Sequence, residues 1–172
     1  MTRFLWLVTS VIIVINCAGT ANVEMGMNDE GTLAGVYGDL RMRILVLELF
    51  DGADYKTLWQ GPMTNTISIL STDFISITNG FEVIEPGSYS RVRVSVDSLQ
   101  YVNQSLQIML VDTALTFIAD AFSAIEIDDG DERQLLINIA SPNWFDTDSV
   151  KIRSGHQPFE GAGLKIYYPI GF

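Results

Sequence analysis

The chain has 172 residues, 48% of them hydrophobic, and its formal net charge is −11. This length and hydrophobic content suit a single domain built around one core. Because so acidic a chain is repelled by phosphate backbones, its charge argues against a nucleic-acid partner.

The first residues have the features of a secretion signal. Arg3 gives a positive start, and residues 4–15 form an apolar run. A membrane-spanning helix needs roughly 20 apolar residues, so this run is too short to span and predicts a secretion signal. Residues 14–19 follow and resemble the bacterial lipobox, with Asn16 in place of the usual small residue before Cys17. The alternatives are ordinary signal cleavage after Ala21 and an uncleaved anchor.

Cys17 is the only cysteine, so an exported chain has no disulfide partner for it. Lipidation of Cys17 accounts for the thiol and predicts a membrane-anchored lipoprotein. The residue after it, Ala18, resembles the outer-membrane sorting signal and places the protein on the periplasmic or surface face of that membrane. The alternative cleavage predicts a freely secreted protein.

Three regions follow from the distribution of residue types. Residues 1–17 are predicted as the lipoprotein-type signal peptide with its lipobox cysteine. Residues 18–37 are small, polar and acidic with no apolar period, which predicts a flexible tether. Residues 38–172 are predicted as one folded domain.

The domain shows the two-residue periodicity that is typical of half-buried strands. In residues 89–96, valines at positions 92, 94 and 96 alternate with arginines and serine, after a Pro86-Gly87 pair that predicts a type II turn. Turns at residues 51–54 and 128–131 predict two further hairpins. The predicted strands lie at residues 40–50, 55–60, 64–70, 89–96, 106–111, 125–127, 135–139 and 164–168. The pattern predicts an all-β domain, a single antiparallel β-sandwich of about seven to nine strands.

Several features in a fixed order suggest a family. They are a strand pair ending in Trp59, Pro-Gly-Ser-Tyr at residues 86–89, Arg-Val-Arg-Val at 91–94, Phe122, and the hairpin at 125–130. Over residues 38–144 the chain resembles the DUF4382 family of bacterial and archaeal exported proteins, many of them lipoproteins. The 85–89 turn also resembles that of prealbumin-like, carboxypeptidase-regulatory-type domains. These resemblances imply a Greek-key, prealbumin-like sandwich and export, and they supply no catalytic residues.

Two groups of residues are candidates for ligand binding. Arg41 with Arg43, and Arg91 with Arg93, place paired guanidiniums on strand faces, where they could bind anionic sugars or carboxylates. Cross-strand pairing with Asp and Glu is the plainer interpretation in an acidic chain. Aromatic residues could form a sugar-stacking platform, although aromatic residues of a sandwich are usually core. They are Trp59, Trp144, Tyr101, Tyr167 and Tyr168.

An acidic turn around Gly130 is the candidate metal site. Asp128, Asp129, Asp131 and Glu132 offer hard oxygen ligands for Ca²⁺, but their spacing does not match an EF-hand loop. Asp and Gly also favour a hairpin turn for local reasons, which is the interpretation we prefer. No other metal and no cofactor is predicted.

Catalytic patterns are weak in this sequence. His156 is the sole histidine and has no nucleophile motif beside it. The acidic turn together with Asp112 and Asp120 would supply an acid–base pair for glycoside hydrolysis only if two carboxylates faced each other across a cleft.

We therefore expect a non-enzymatic lipoprotein of the cell envelope, a binding or structural module with a glycan or protein partner. The alternatives are a carbohydrate-binding module, or a subunit that assembles into a surface complex or filament through an unpaired edge such as the terminal strand.

Overall fold

The structure is a computed structural model that describes residues 19–30 and 38–168. Within these residues nearly all regular structure is β-strand, so the predicted all-β class is confirmed. The predicted signal peptide and Cys17 lie outside the described residues. The strands are β1 (Ala21–Asn28), β2 (Asp39–Phe50), β3 (Tyr55–Ser68), β4 (Ile75–Ser76), β5 (Glu82–Ile84), β6 (Gly87–Val102), β7 (Gln107–Val111), β8 (Leu115–Ile127), β9 (Glu132–Asn138), β10 (Phe145–Asp146), β11 (Lys151–Ile152) and β12 (Gly163–Ile166), with a short helix α1 (Ser141–Trp144).

Ten of these strands form one large sheet, in the order β3-β2-β6-β8-β12-β9-β1-β4, with β5 beside β1 and β7 beside β6. The sheet is mixed, because β1 pairs with β9 in parallel and β12 pairs with β8 in parallel. The expectation of purely antiparallel pairing is therefore corrected.

The sheet curls until its first strand approaches its last. β3 pairs with β2 along one side and lies against β4 and β5 on the other. The architecture is thus nearly barrel-like, and a division into two packed antiparallel sheets is not confirmed.

Strand β1 occupies eight residues of the predicted tether. Residues 22–28 pair with β9, and β1 pairs with β4 and β5 on its other side. Ala21, Val23, Met25 and Met27 are completely buried and point into the core. The prediction of a flexible segment over 18–37 is wrong at these positions, because the small and sulfur-containing side chains alternate as a buried strand requires.

The long strands β2 and β6 bend at bulges. Leu45 is skipped in the pairing of β2 with both of its neighbours. As a result the inward positions of β2 change from Met42 and Ile44 to Leu47 and Leu49. A bulge strengthens the local twist of a strand, which allows a long strand to follow the curl of the sheet.

One hydrophobic core fills the interior of the curled sheet. The valines 92, 94 and 96 of β6 are fully buried within it, as their alternation predicts. One part of this core is aromatic: the Phe117 and Phe159 rings stack with centroids 4.1 Å apart, and Trp144 lies 5.2 Å from Phe159. The segment after β9 therefore packs back onto the sheet through its aromatic side chains.

Two predicted turns have unexpected details. The turn at 128–131 does connect β8 to β9, but the two strands are not neighbours in the sheet, because β12 lies between them. At the Pro86 turn, Gly87 does not have the positive φ that a type II turn would require. The Tyr89 hydroxyl instead closes this turn by donating a hydrogen bond to the carbonyl oxygen of Glu85, at 2.6 Å.

The terminal strand β12 is not an open edge. It pairs with β9 at all four of its residues and with β8 at Gly163 and Leu164. The expectation that this strand offers an unpaired edge for assembly is corrected over residues 163–166. Among the residues that the structure describes, no helix has the length and apolar character needed to cross a membrane.

Candidate functional site

Three of the four candidate arginines are paired with carboxylates of neighbouring strands. Arg93 of β6 donates two hydrogen bonds to Glu48 of β2, at 2.7 and 2.9 Å. Arg43 of β2 forms an ion pair with Asp97 of β6. These pairings favour the structural interpretation of the arginines over a site for anionic ligands.

The electrostatic environment of these pairs follows from their geometry. The hydrogen bonds from Arg93 hold the pKa of Glu48 below its ordinary value, despite partial desolvation of the carboxylate. The guanidinium of Arg93 also lies over the Tyr55 ring, 3.8 Å from the centroid, in a cation–π contact. Arg93 is thereby occupied on two sides by residues of the protein itself.

The remaining candidate arginines, Arg91 and Arg41, differ in their surroundings. The Nε atom of Arg91 lies 3.2 Å from Asp120, although without hydrogen-bond geometry, and its guanidinium is 5.2 Å from the Phe50 ring centre. Arg41 of β2 lies between Thr66 and Gln100 of the adjacent strands. The structure therefore does not bring the four arginines together as one cationic surface.

The two candidate tryptophans do not form a platform. Trp144 is completely buried, and its indole N–H donates to the carbonyl oxygen of Ile139 at 2.9 Å. Trp59 is only partly buried, but it packs against the core from β3. Tyr101, another candidate, is also fully buried. The expectation that Trp144 and Tyr101 contact a ligand is corrected, because neither reaches the surface.

The acidic turn uses its carboxylates to hold the chain. Asp129 accepts a hydrogen bond from the backbone N–H of Thr20, at 2.9 Å. Asp131 accepts a hydrogen bond from the N–H of Asp128 and forms an ion pair with Arg133. Both interactions keep the pKa of Asp131 below its ordinary value. Within residues 19–30 and 38–168, no three His, Cys, Asp or Glu side chains are grouped so as to hold a metal ion. These bonds favour the structural interpretation of the turn over a calcium site.

The candidate catalytic groups are dispersed. His156 is exposed, and its Nδ1 lies 2.9 Å from Glu160 in the same loop. Asp112 and Asp120 are exposed on different parts of the chain. The structure does not bring either of them together with the acidic turn across a cleft.

A buried carboxylate that the sequence did not reveal is Asp29. It is completely buried and accepts hydrogen bonds from the N–H of Leu70 at 3.1 Å and from the N–H and hydroxyl of Ser141 at 2.9 and 2.6 Å. Because Ser141 is also fully buried, it is not accessible as a nucleophile. Asp29 therefore joins three distant segments, and its role is structural.

A groove with exposed aromatic rings lies where β9 begins and β12 ends. We call it the aromatic groove, and its cavity volume is about 390 Å³. Tyr168 is 72% exposed and Phe81 47% exposed, so both rings are open to a ligand. The residues that line it are Phe81, Glu132, Arg133, Gln134, Ile166, Tyr167 and Tyr168.

Local contacts position the walls of the aromatic groove. The N–H of Tyr167 donates to the carbonyl oxygen of Gln134 at 2.8 Å, which extends the pairing of β12 with β9. The Tyr167 ring packs against Phe74, with centroids 4.8 Å apart. Phe74 lies over Gly26 of β1, where a β-carbon would overlap its ring. A glycine in β1 is thus required to support one wall of the groove.

The floor of the aromatic groove is polar and includes both signs of charge. Gln134 donates from its amide nitrogen to Glu24 of β1 at 2.7 Å. Arg133 is paired with Asp131 but keeps 38% of its side chain exposed. A guanidinium has five N–H donors, so one carboxylate partner leaves it able to donate further hydrogen bonds.

Sequence reasoning identified only part of this site. It named Tyr167 and Tyr168 as candidate stacking residues, but not Phe81, Arg133 or Gln134. The period-two pattern of β9 indicated that alternate side chains point outwards, yet nothing in it indicated that β12 would lie beside β9.

Comparison with known proteins finds no matching family model, no similar curated protein and no similar solved structure.

Proposed function

We propose that this protein is a non-enzymatic binding module of the cell envelope, exported by a signal at residues 1–17 and held in the outer membrane through lipidated Cys17. The observation that supports the anchor is the position of β1, which begins four residues after Cys17. Cleavage before Cys17 leaves β1 and its flanking residues in the mature chain.

The competing cleavage after Ala21 would remove part of the fold. Ala21 is fully buried and pairs with Ile84 of β5. The carbonyl oxygen of Thr20 accepts a hydrogen bond from Gly130, and its N–H donates to Asp129. Removal of residues 19–21 would break these bonds, which makes free secretion by that route the less favoured alternative.

The short connection also sets the geometry of the anchored protein. An extended chain spans at most about 3.3–3.6 Å per residue, so Cys17 and Ala21 lie no more than roughly 14 Å apart. The acidic turn and the start of β1 would therefore lie close to the bilayer. Several acyl chains on one cysteine hold a protein firmly, so no second anchor is needed.

The pairing of carboxylates with arginines supports a binding rather than a catalytic role. The carboxylates of Glu48, Asp97 and Asp131 are engaged by arginines. The resemblance to the DUF4382 family and the prealbumin-like strand order stay predictions. Assembly through an unpaired strand edge remains an alternative function, but residues 163–166 of the terminal strand are paired with β9, the first two also with β8, and do not supply that edge.

Intact-mass analysis of the mature N-terminus tests the proposal. We expect the mass of a chain that begins at Cys17 with acyl groups attached, and we expect Cys17→Ser to lose the acyl mass and its membrane association. A mature chain that begins at Asn22 without acyl mass would contradict the anchor. Retention of membrane association by Cys17→Ser would also contradict it.

A further inference from the structure

We propose that the aromatic groove binds a neutral carbohydrate, with the Tyr168 and Phe81 rings stacking on the sugar. This inference rests on the proposed role as a binding module and gives that role a ligand class. It does not depend on whether Cys17 is lipidated.

The exposure of the rings is the first argument. The rings of Trp144, Tyr101, Phe117 and Phe159 are buried in the core, whereas Tyr168 and Phe81 keep much of their surface in water. Aromatic faces have a negative quadrupole that attracts the weakly positive C–H groups on one face of a sugar ring. Two exposed rings that border one cavity therefore offer a stacking surface.

The polar floor is the second argument. A sugar presents hydroxyl groups around its ring, and these need both donors and acceptors. Arg133 supplies donors, Gln134 supplies a donor and an acceptor, and the exposed Glu132 supplies acceptors. A purely apolar ligand would leave the remaining donors and acceptors of these side chains unused, at a cost of about 1–3 kcal/mol for each one that it buries.

The charge balance argues for a neutral sugar. Glu24, Asp131 and Glu132 surround a single cation, Arg133, and Asp131 already pairs with that cation. An anionic sugar would be repelled by this group and by the net charge of −11. The same repulsion disfavours an anionic membrane surface as the occupant.

The size of the groove also agrees with a small ligand. Its volume of about 390 Å³ lies near the lower end of the roughly 300–1,000 Å³ that is usual for small-molecule sites. Two other cavities suit this role less well. In the one of about 350 Å³, the Tyr89 ring is buried and the Tyr55 ring is already covered by Arg93. The one of about 690 Å³ is lined by Gly38, Asp39, Val102, Asn103, Gln104 and Ser105, without any aromatic ring.

Saturation-transfer NMR on the mature protein provides the test, in a detergent without a sugar headgroup if the protein is lipidated. The probes are cellotriose, maltotriose and triacetylchitotriose, with trigalacturonate as the anionic sugar comparison and phosphatidylglycerol vesicles as the anionic membrane comparison. We expect at least one neutral trisaccharide to bind and trigalacturonate not to bind.

Matched variants assign the binding to the groove. Tyr168→Ala and Phe81→Ala should each weaken binding about two- to tenfold, the range expected for one aromatic contact. Tyr168→Phe should retain it, because the ring face is kept. Phe122→Ala is the control, since Phe122 is a fully exposed ring on β8 that does not line the groove.

Failure to bind any of the three neutral sugars, or binding that is equal in Tyr168→Ala and Phe122→Ala, would overturn the inference. Preferential binding of trigalacturonate would also overturn it. So would a result in which Tyr168→Ala weakens binding to vesicles but leaves binding to sugars unchanged. The lipid anchor is tested by a different measurement, the mass of the mature N-terminus, so either proposal can fail without the other.

Discussion

Replacing Asp29 with alanine is expected to destabilise the fold by about 2–6 kcal/mol. The substitution removes the acceptor of two buried donors, the N–H and the hydroxyl of Ser141, which bond to the carboxylate at 2.9 and 2.6 Å. It also removes the acceptor of the partly buried N–H of Leu70, at 3.1 Å. Each buried donor left without a partner costs about 1–3 kcal/mol. Since domains of this kind are stable by about 5–15 kcal/mol, the loss would be a large share of the total.

Urea denaturation measures this effect directly. With a slope of about 2 kcal/mol per M, the Asp29→Ala midpoint should fall by about 1–3 M. Asp73→Ala is the matched control, because Asp73 is exposed in a nearby loop and its carboxylate has no bond comparable to those of Asp29. Equal midpoints for the two variants would refute the structural role assigned to Asp29.

The remaining predictions concern one ion pair, one glycine and the tryptophans. Because the pKa of Glu48 is lowered in the folded state, its contribution to stability is present above its ordinary pKa of about 4.5 and is lost as the pH falls below it. Urea midpoints between pH 7 and pH 3 should therefore fall less steeply for Glu48→Gln than for the wild type, and parallel curves would contradict this. Gly26→Ala should cost about 1–3 kcal/mol of folding stability, because the new β-carbon overlaps the Phe74 ring. In a double-mutant cycle, adding Phe74→Ala should recover part of that loss, whereas strictly additive stability losses would exclude the contact. Trp144→Ala should lower the free energy of unfolding by about 3–5 kcal/mol, and Trp59→Ala should lower it distinctly less, because Trp59 is only partly buried. Equal losses in urea denaturation would contradict the difference in burial.

Local features of the fold were predictable from the sequence. The alternation of valines in β6 predicted which side chains are buried, because a strand places successive residues on opposite faces. The turn at Asp51 was predictable for a similar reason. Its carboxylate accepts hydrogen bonds from the N–H groups of Ala53 and Asp54, at 2.9 and 2.7 Å, so the turn is encoded by residues within it.

Nonlocal features were not predictable. The sequence of β1 predicts a tether, because glycine, asparagine and methionine are poor strand signals. The reason for Gly26 is apparent only from the Phe74 ring that packs above it. The insertion of β12 between β8 and β9 depends on contacts far apart in the chain. The bulge at Leu45 changes the inward-facing positions halfway along β2, which no simple alternation pattern anticipates.

The candidate site shows the same division. Tyr167 and Tyr168 were predicted as stacking residues because of their type alone. Their combination with Phe81 and Arg133 arises from the positions of β5, β9 and β12 around the sheet. Trp144 was predicted as a ligand contact for the same compositional reason as the tyrosines, but the packing of α1 against the core buries it. Residue type thus indicates chemistry, whereas exposure is decided by the fold.

Hydrogen exchange of the β1 amides tests the central claim most directly, namely that residues 21–28 form an inner strand of the sheet and not a tether. We expect the amides of Glu24, Gly26 and Asn28 to be as strongly protected as those of β9, because β1 pairs with β9 over residues 22–28 and the N–H groups of its even-numbered residues point towards that strand. Exchange of these amides at the rate of an unstructured peptide, while β9 remains protected, would contradict the account.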